Sequence, residues 1–597
     1  MYARGQMTAL RVLGIALLLL LGAGVFFLRW AAPDEAPQSL VFVGGEIITM
    51  VEPLEVEAIW VKDGLIQLLG SRSEVLEAAG TDVHRVDLDG ATLMPGFIEP
   101  HTHPLATALL GAAIDVSGFR HESRAEMMAT LEDAIEGFTP QPWILAFGWD
   151  PIMVPQLEPP TLEELDALSP DKPLVILTQM MHEAFANSAA LREAGIDRDT
   201  PDPPAASFGR DENDDLTGSV LEVNAINYLL RAVPALPPAV TALLLRWQFA
   251  DYARAGFTTI GVLGVVGRAE DPIGLLQSLA ADAHVPVRTV VYGLPQQLDI
   301  EAKPEAMYEA RFAIRGVKFW MDGSPFTGGA AFAEPYEDTD LTRERMHLAP
   351  DRMGPLNHGL EAFTTEFGRF HRAGYHVAIH TQGERAVQRV LDAAASVLAE
   401  HPWPDHRHRL EHNALITGEQ IRRAKALGFE LSFFTDHIYY YGDRLAEIVG
   451  DRVDRYMPVG TAFREGHRAT IHSDNPATPI GPLRVMRTAI LRTPRKGHQA
   501  MGSSERLSID QALRAMTTNA AWQLGIENHR GSLEAGKAAD LLILSRNPME
   551  TPPEELDSIE VLGTWIDGQP VDTRRASRPN LGLALRALTQ LTTPNPQ

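Results

Sequence analysis

Eight short apolar runs alternate with helical patterns through the middle of this chain, and that alternation constrains the fold more than any other feature. It is typical of βα units, in which a helix follows each strand and the strands lie parallel. Eight such units predict an α/β fold, a (β/α)8 TIM barrel. The predicted barrel strands cover residues 92–98, 258–263, 287–292, 316–320, 376–379, 409–410, 430–433 and 469–472.

Short β-runs separated by Gly and Asp turns flank this middle part at both ends of the chain. They predict one small β-sandwich formed by residues 39–93 and 526–572, with the barrel in 94–525. An insertion at about 111–238 carries Pro-rich and acidic loops, and we expect it to cover the barrel mouth. The tail, 573–597, is expected to form a surface helix with a disordered end.

The N-terminus has the composition of a membrane segment. Residues 12–28 contain no charged side chain and follow Arg4 and Arg11. This layout predicts an uncleaved anchor and linker over 1–38, a single-pass protein of the cell membrane with an extracytoplasmic catalytic domain. The alternative is a cleaved signal peptide and a secreted or periplasmic protein.

Charge and cysteine content exclude several classes of function. The net charge is −26, from 78 acidic and 52 basic residues, which argues against nucleic acid as a partner because phosphate binding needs a basic face. The chain has no cysteine, so a thiolate metal site or a cysteine nucleophile is excluded. A bound metal must use His, Asp, Glu, Lys or water.

Metal-binding residue types stand where several predicted strands end. His101 and His103 are two residues apart, so on a strand both imidazoles point to one side. Lys318, His380, His412 and Asp474 also lie at the ends of apolar runs. The full set is His101, His103, Lys318, His380, His412 and Asp474. Each residue taken alone fits a structural role, but together at the C-terminal ends of barrel strands they predict a metal site.

Five segments resemble the metal-dependent amidohydrolase superfamily, specifically its amidohydrolase family 3 branch. The resemblance extends over nearly the whole chain after the N-terminal segment, and its C-terminal part is the Gly-Ser-Leu-Glu-Ala-Gly-Lys stretch at 531–537. The five segments are MPGFIEPHTH at 94–103, VKFWMDGS at 317–324, HTQGERA at 380–386, RLEH at 409–412 and HSDNP at 472–476.

The resemblance implies roles for the strand-end residues. His101 and His103 would hold one metal with Asp474, and His380 and His412 a second. Lys318 would be a carboxylated lysine that bridges the two; the alternative is an ion-pairing lysine. The expected cofactor is a divalent metal, two zinc ions, because the ligands are nitrogen and oxygen without sulfur. Asp474 would move the proton from the attacking water to the leaving nitrogen.

Four further residues are candidate substrate contacts. His182 and Asn187 resemble a family segment at the active-site mouth, and His437 follows the seventh strand. His472 is either a substrate contact or a core histidine beside the site.

The expected function is metal-dependent hydrolysis of a carbon–nitrogen bond other than a peptide bond, in an amide, formamide or cyclic amide. A deaminase or an ester or phosphoester hydrolase is the alternative on the same scaffold, because a fold does not determine a substrate. An inactive extracellular binding protein is the alternative of another class. The expected partner is a small-molecule substrate. The sequence leaves open whether the chain forms a homo-oligomer.

Overall fold

A nearly closed barrel of parallel strands forms the centre of the molecule. The computed structural model describes residue 32 and residues 35–137, 142–203, 206–304, 308–497 and 499–592. Eight strands pair side by side in chain order, as the apolar runs predict. They are Phe97–Thr102, Phe257–Leu263, Arg288–Gly293, Phe312–Trp320, His376–Thr381, Arg409–His412, Glu430–Phe433 and Thr470–Ile471. We call them barrel strands 1 to 8.

The first predicted strand, 92–98, is in fact divided between two sheets. Thr92–Pro95 belongs to a sheet outside the barrel, and barrel strand 1 begins only at Phe97. Gly96 lies at the crossing, where an added Cβ would be 2.2 Å from the Thr258 side chain. A continuous strand was predicted because both halves are apolar and buried. Leu93 packs in the core of the smaller sheets, whereas Met94 and Phe97 share the main core.

Two smaller sheets contain the remaining strands from the ends of the chain. One has Leu65–Gly70, Ala58–Lys62, Ser39–Val43 and His84–Asp87 in that order. The other has Gln569–Pro570, Val561–Ile566, Leu541–Leu544, Thr92–Pro95, Glu46–Ile48 and Glu55–Val56. Phe42 and Val61 of the first pack in one apolar cluster with Leu93 and Leu541 of the second. Both ends of the chain therefore contribute to this core, while the exact domain boundaries stay a prediction.

The residues between the helices Pro104–Leu110 and Pro238–Arg254 include a separate mixed sheet at the C-terminal side of the barrel. Its strands in chain order are Ile114–Asp115, Ile144–Trp149, Leu174–Thr178, Glu183–Ala186, Ser207–Arg210 and Leu216–Leu221. Gln179 Nε2 donates to the carbonyl oxygens of Pro476 and Ala477, each at 3.2 Å. The Tyr441 hydroxyl donates to Asp150 Oδ2 at 2.9 Å. These bonds join the inserted sheet to the segments that follow barrel strands 7 and 8.

The α-helices mostly follow barrel strands on the outside. The last helix, Arg578–Thr592, lies against Pro238–Arg254, the long helix before barrel strand 2. Ala239 N of the long helix donates to Gln590 Oε1 of the last helix at 3.0 Å. In chain order the α-helices are Arg72–Ala79, Pro104–Leu110, Arg124–Glu136, Leu162–Leu168, Ser188–Glu193, Glu222–Leu230, Pro238–Arg254, Pro272–Ala280, Leu360–Arg372, Glu384–Glu400, Gly418–Ala426, Asp436–Val449, Val459–Arg464, Pro482–Leu491, Ile509–Ala515, Thr518–Gln523 and Arg578–Thr592.

The prediction of a single-pass membrane protein is corrected. Among the residues that the structure describes, no helix has both the length and the apolar character needed to cross a bilayer. The segment on which the prediction was based, 12–28, lies outside the described residues. An uncharged run of that length is at the short end for a span, so the sequence pattern alone was weak support.

Candidate metal centre

Two histidines at the end of barrel strand 1 approach a single carboxylate oxygen. His101 lies on the strand, and His103 comes directly after it. His101 is fully buried and His103 is mostly buried. Asp474, which follows barrel strand 8, places Oδ1 3.3 Å from His101 Nε2 and 3.2 Å from His103 Nε2. The two-residue spacing therefore directs both rings to one point, as strand geometry predicts.

The hydrogen bonds of the two Nδ1 atoms determine which tautomer each histidine adopts, and therefore what the Nε2 atoms present to Asp474. His103 Nδ1 lies 3.2 Å from the Gly264 carbonyl oxygen, which can only accept, so Nδ1 carries the proton. His101 Nδ1 lies 2.8 Å from Glu411 Oε2 and donates to that carboxylate in the same way. In the neutral rings, both Nε2 atoms therefore point lone pairs at a carboxylate oxygen. Three acceptors that meet in this way repel one another unless a cation lies among them.

Lys318 places its amine beside this point. Its side chain is fully buried on barrel strand 4, and its Nζ is 3.4 Å from His101 Nε2 and 5.2 Å from the centre of the Trp320 ring. Burial lowers the pKa of Lys318 to about 8. An amine with a lowered pKa is more often uncharged, and only an uncharged amine can react with carbon dioxide to form a carbamate. The carboxylation of Lys318 stays a prediction.

The remaining two predicted ligands face each other across barrel strands 5 and 6. The ring centres of His380 and His412 are 4.2 Å apart. His380 Nε2 and His412 Nδ1 are buried and have no hydrogen-bond partner among the described residues, and His412 Nδ1 lies 3.9 Å from Asp474 Oδ2. His412 and Asp474 both adopt positive φ, 73° and 52°, a conformation that is found at functional sites more often than elsewhere.

The buried histidines are held in the uncharged form that metal ligation requires. Burial lowers the pKa of His380 to about 3, and it lowers the pKa values of His101 and His412 well below their ordinary value. The nearby Lys318 charge acts in the same direction. The donor set of imidazole nitrogens and carboxylate oxygen, with unpaired buried atoms, fits a divalent ion such as zinc.

The structure brings one of the four softer candidates into this cluster, and another lies near it. His472 is fully buried, and its ring is stacked on His101 with centres 4.6 Å apart. His437 Nδ1 is 3.0 Å from the Tyr456 hydroxyl, and its ring centre lies 4.1 Å from that of Phe434. His182 comes directly before the strand Glu183–Ala186 of the inserted sheet and is partly exposed, with Nδ1 2.8 Å from Glu222 Oε2.

Asn187 has a complete structural explanation. Its Oδ1 accepts from the backbone N–H groups of Ala190 and Leu174, at 2.8 and 2.9 Å. Its Nδ2 donates to the carbonyl oxygens of Ser169 and Lys172, at 2.6 and 2.9 Å. The side chain thus caps the helix Ser188–Glu193 and joins it to neighbouring loops, which favours a structural role over substrate contact.

Replacing Asn187 with alanine tests that interpretation. We expect Asn187→Ala to lower the free energy of unfolding by about 2 kcal/mol or more, because a cap is lost and buried polar groups lose their partners. Metal content and KM should stay at wild-type values. Denaturant titration, elemental analysis and steady-state kinetics measure the three quantities. A higher KM with unchanged stability would instead support substrate contact.

Two residues that support the site escaped the sequence analysis. Glu411 sets the protonation of His101, and its position two residues after the buried Arg409 on an inward-facing strand could have indicated it. Asp322 accepts backbone N–H groups of Ala331, Gln382 and Gly383 at 2.8–2.9 Å and so joins the segments after barrel strands 4 and 5. Nothing in the sequence near Asp322 predicts those distant partners.

Comparison with known proteins agrees with this architecture. The chain is 28% identical over 533 residues to an N-substituted formamide deformylase from Arthrobacter pascens, covering 86% of this chain and 94% of that one. It is 28% identical over 556 residues to Protein LONG AFTER FAR-RED 3 of Arabidopsis thaliana, covering 89% and 91%. A crystal structure of an uncharacterized metal-dependent hydrolase from Pyrococcus horikoshii OT3 is similar in fold, with a TM-score of 0.69 and 24% identity over 86% of this chain and 99% of that one.

A family model for the amidohydrolase family matches residues 85–572. This match includes all eight barrel strands, the inserted sheet and every residue of the histidine cluster. The chain therefore belongs to the amidohydrolase family.

Proposed function

We propose that this chain is a metal-dependent hydrolase that cleaves a carbon–nitrogen bond other than a peptide bond. The substrate class we favour is a small amide, with an N-substituted formamide as the first candidate. The relative from Arthrobacter pascens is named for deformylation of such compounds, and it matches this chain over most of both lengths.

The convergence of unprotonated ring nitrogens on Asp474 supports the proposal more than any other observation. The Nε2 atoms of His101 and His103 lie 3.3 and 3.2 Å from one carboxylate oxygen, and in the neutral rings both present a lone pair to it. A divalent cation removes that repulsion. We assign the metal ligands to His101, His103, Lys318, His380, His412 and Asp474, with two zinc ions as the expected content.

Bound divalent ions would supply a Lewis acid for the scissile carbonyl and a more acidic water. The chain's own groups handle orientation and protons. Glu411 keeps His101 in the tautomer that presents Nε2 to the site. Asp474 accepts a proton when water adds to the carbonyl carbon and donates it to the nitrogen as the carbon–nitrogen bond breaks. A formamide would thus give formate and an amine.

Metal content is the first test of this proposal. Elemental analysis of the full-length protein should find about two zinc ions per chain in the wild type and fewer in His103→Ala and in His412→Ala. The exposed His347→Ala variant is the matched control and should keep the wild-type content. Chelation should abolish formate release from N-substituted formamides, and added zinc should restore it.

The outcomes separate the alternatives. One ion, lost only in His103→Ala, would indicate a mononuclear site and favour deaminase chemistry, with ammonia rather than formate as the product. A metal-loaded protein that hydrolyses only esters or phosphoesters would contradict the amide assignment. A wild type without metal, even after zinc supplementation, would contradict the hydrolase and leave a binding protein.

A further inference from the structure

His472 is a buried histidine of the metal centre that the proposed ligand set leaves without a role. It comes directly after barrel strand 8 and is fully buried. Its ring is nearly parallel to those of His101 and Phe434, with ring centres 4.6 and 5.4 Å away and plane angles of 16° and 21°. Neither of its ring nitrogens has a hydrogen-bond partner among the described residues.

A neutral imidazole has one N–H donor and one lone pair, so burying both without partners is unfavourable by several kcal/mol in general. Other buried histidines of this chain avoid that penalty. His408 Nδ1 accepts from Val377 N at 3.0 Å, and its Nε2 lies 2.9 Å from His371 Nδ1. His467 contacts Glu430 and the Ile421 carbonyl oxygen. Among the histidines that the structure describes, buried ring nitrogens without a partner occur only beside the metal centre, in His380, His412 and His472.

The unpaired nitrogens of this region lie close together. Ligand nitrogens of His101, His412 and His472 are all within 4.8 Å of one another, and so are ligand atoms of His101, His103 and Asp474. His101 belongs to both groups, yet its Nδ1 is used by Glu411, so it has a single lone pair at Nε2. One lone pair binds one ion. A ligand nitrogen of His472 thus lies within 4.8 Å of a ring nitrogen of His101, the residue that the two groups share.

We propose that His472 is a further ligand of the ion held by His101, an imidazole in addition to the six residues assigned above. The inference rests on the proposed function, because it requires a bound metal. It explains why a ring with two unpaired nitrogens is buried beside His101 and Phe434, where an apolar side chain would pack without that penalty.

The test compares His472→Phe with His437→Phe in the full-length protein. Phenylalanine keeps an aromatic ring in the stack but removes both nitrogens. His437 is the matched control, because it is also buried and packs against Phe434, while its Nδ1 is already bonded to Tyr456. The measurements are zinc affinity by chelator competition and the visible absorption spectrum of the cobalt(II)-substituted protein.

A ligand and a supporting residue give different results. Loss of a hydrogen-bonding neighbour of a ligand typically lowers metal affinity 10–100-fold. We expect His472→Phe to lower zinc affinity by more than about 100-fold and to change the cobalt spectrum, while His437→Phe stays within a few-fold of wild type. A smaller loss with an unchanged cobalt spectrum would overturn the inference.

A second variant guards against misfolding. His472→Ala leaves a space in the stack, and added imidazole should restore both affinity and the cobalt spectrum. Failure of imidazole to restore either, in a protein whose metal-free melting temperature equals that of the wild type, would also overturn the inference. A wild type that binds no zinc or cobalt would instead refute the proposed function itself.

Discussion

Replacing Asp474 with asparagine should lower kcat for formamide hydrolysis by about 10³-fold or more, the largest effect that we expect from a single change. Asparagine has nearly the same shape, but its amide accepts no proton at neutral pH and ligates a cation poorly. The carboxylate is close to His101 and His103, so its loss should also reduce metal content. Formate release and elemental analysis measure the two effects.

Asp338→Asn is the matched control for this substitution. Asp338 is an exposed carboxylate that pairs with Arg343 at 2.7 Å, far in the sequence from any predicted ligand. It should leave both kcat and metal content unchanged. If Asp474→Asn kept more than about a tenth of the wild-type kcat, proton transfer by Asp474 would be excluded, because general acid–base groups contribute at least 10²-fold.

The second large effect is expected on stability, at the joint between barrel strand 3 and the sheet that contains Leu541–Leu544. Arg288 is buried, with Nε 2.8 Å from Asp540 Oδ2 and Nη2 3.0 Å from Asp540 Oδ1. Its Nη1 also donates to the Ala310 carbonyl oxygen at 2.7 Å. Arg288→Met should lower the free energy of unfolding by about 3–5 kcal/mol, because Asp540 would be left as a buried charge with fewer partners.

Denaturant titration measures this effect, and a double variant tests its cause. Arg288→Met combined with Asp540→Leu should recover part of the lost stability, because the buried Asp540 charge is then removed as well. Recovery should be only partial, because the buried Arg530 also loses its contact with Asp540. Asp338→Asn again serves as the control and should not change the unfolding midpoint measurably. A loss below about 1 kcal/mol in Arg288→Met would mean that this ion pair behaves like a surface pair.

The same ion pair has a defined pH dependence. Burial opposes ionisation of Asp540, but the charges and hydrogen bonds of Arg288 and Arg530 outweigh it, and the pKa of Asp540 is below its ordinary value. A carboxyl whose folded-state pKa is lowered stabilises the protein above its unfolded-state pKa of about 3.9. That stabilisation is lost as the pH falls below about 4 and is absent from Asp540→Leu.

The sequence by itself determined the barrel and the residues at the ends of its strands. Apolar runs and helical patterns are local signals, and the two-residue spacing of His101 and His103 follows from strand geometry alone. The resemblance to the amidohydrolase family, carried by short motifs around the strand ends, was confirmed over residues 85–572. The membrane prediction was wrong, because it depended on composition in one short segment without any tertiary information.

Only the tertiary structure decided how these residues act on one another. Glu411 is 310 positions from His101 in the sequence, yet its hydrogen bond selects the tautomer that leaves Nε2 unprotonated. The unpaired nitrogens of His472, the three backbone bonds of Asp322 and the Arg288–Asp540 pair likewise depend on elements far apart in the chain. The physical reason is that burial and hydrogen-bond partners are properties of packed strands and loops, whereas sequence patterns report only local periodicity.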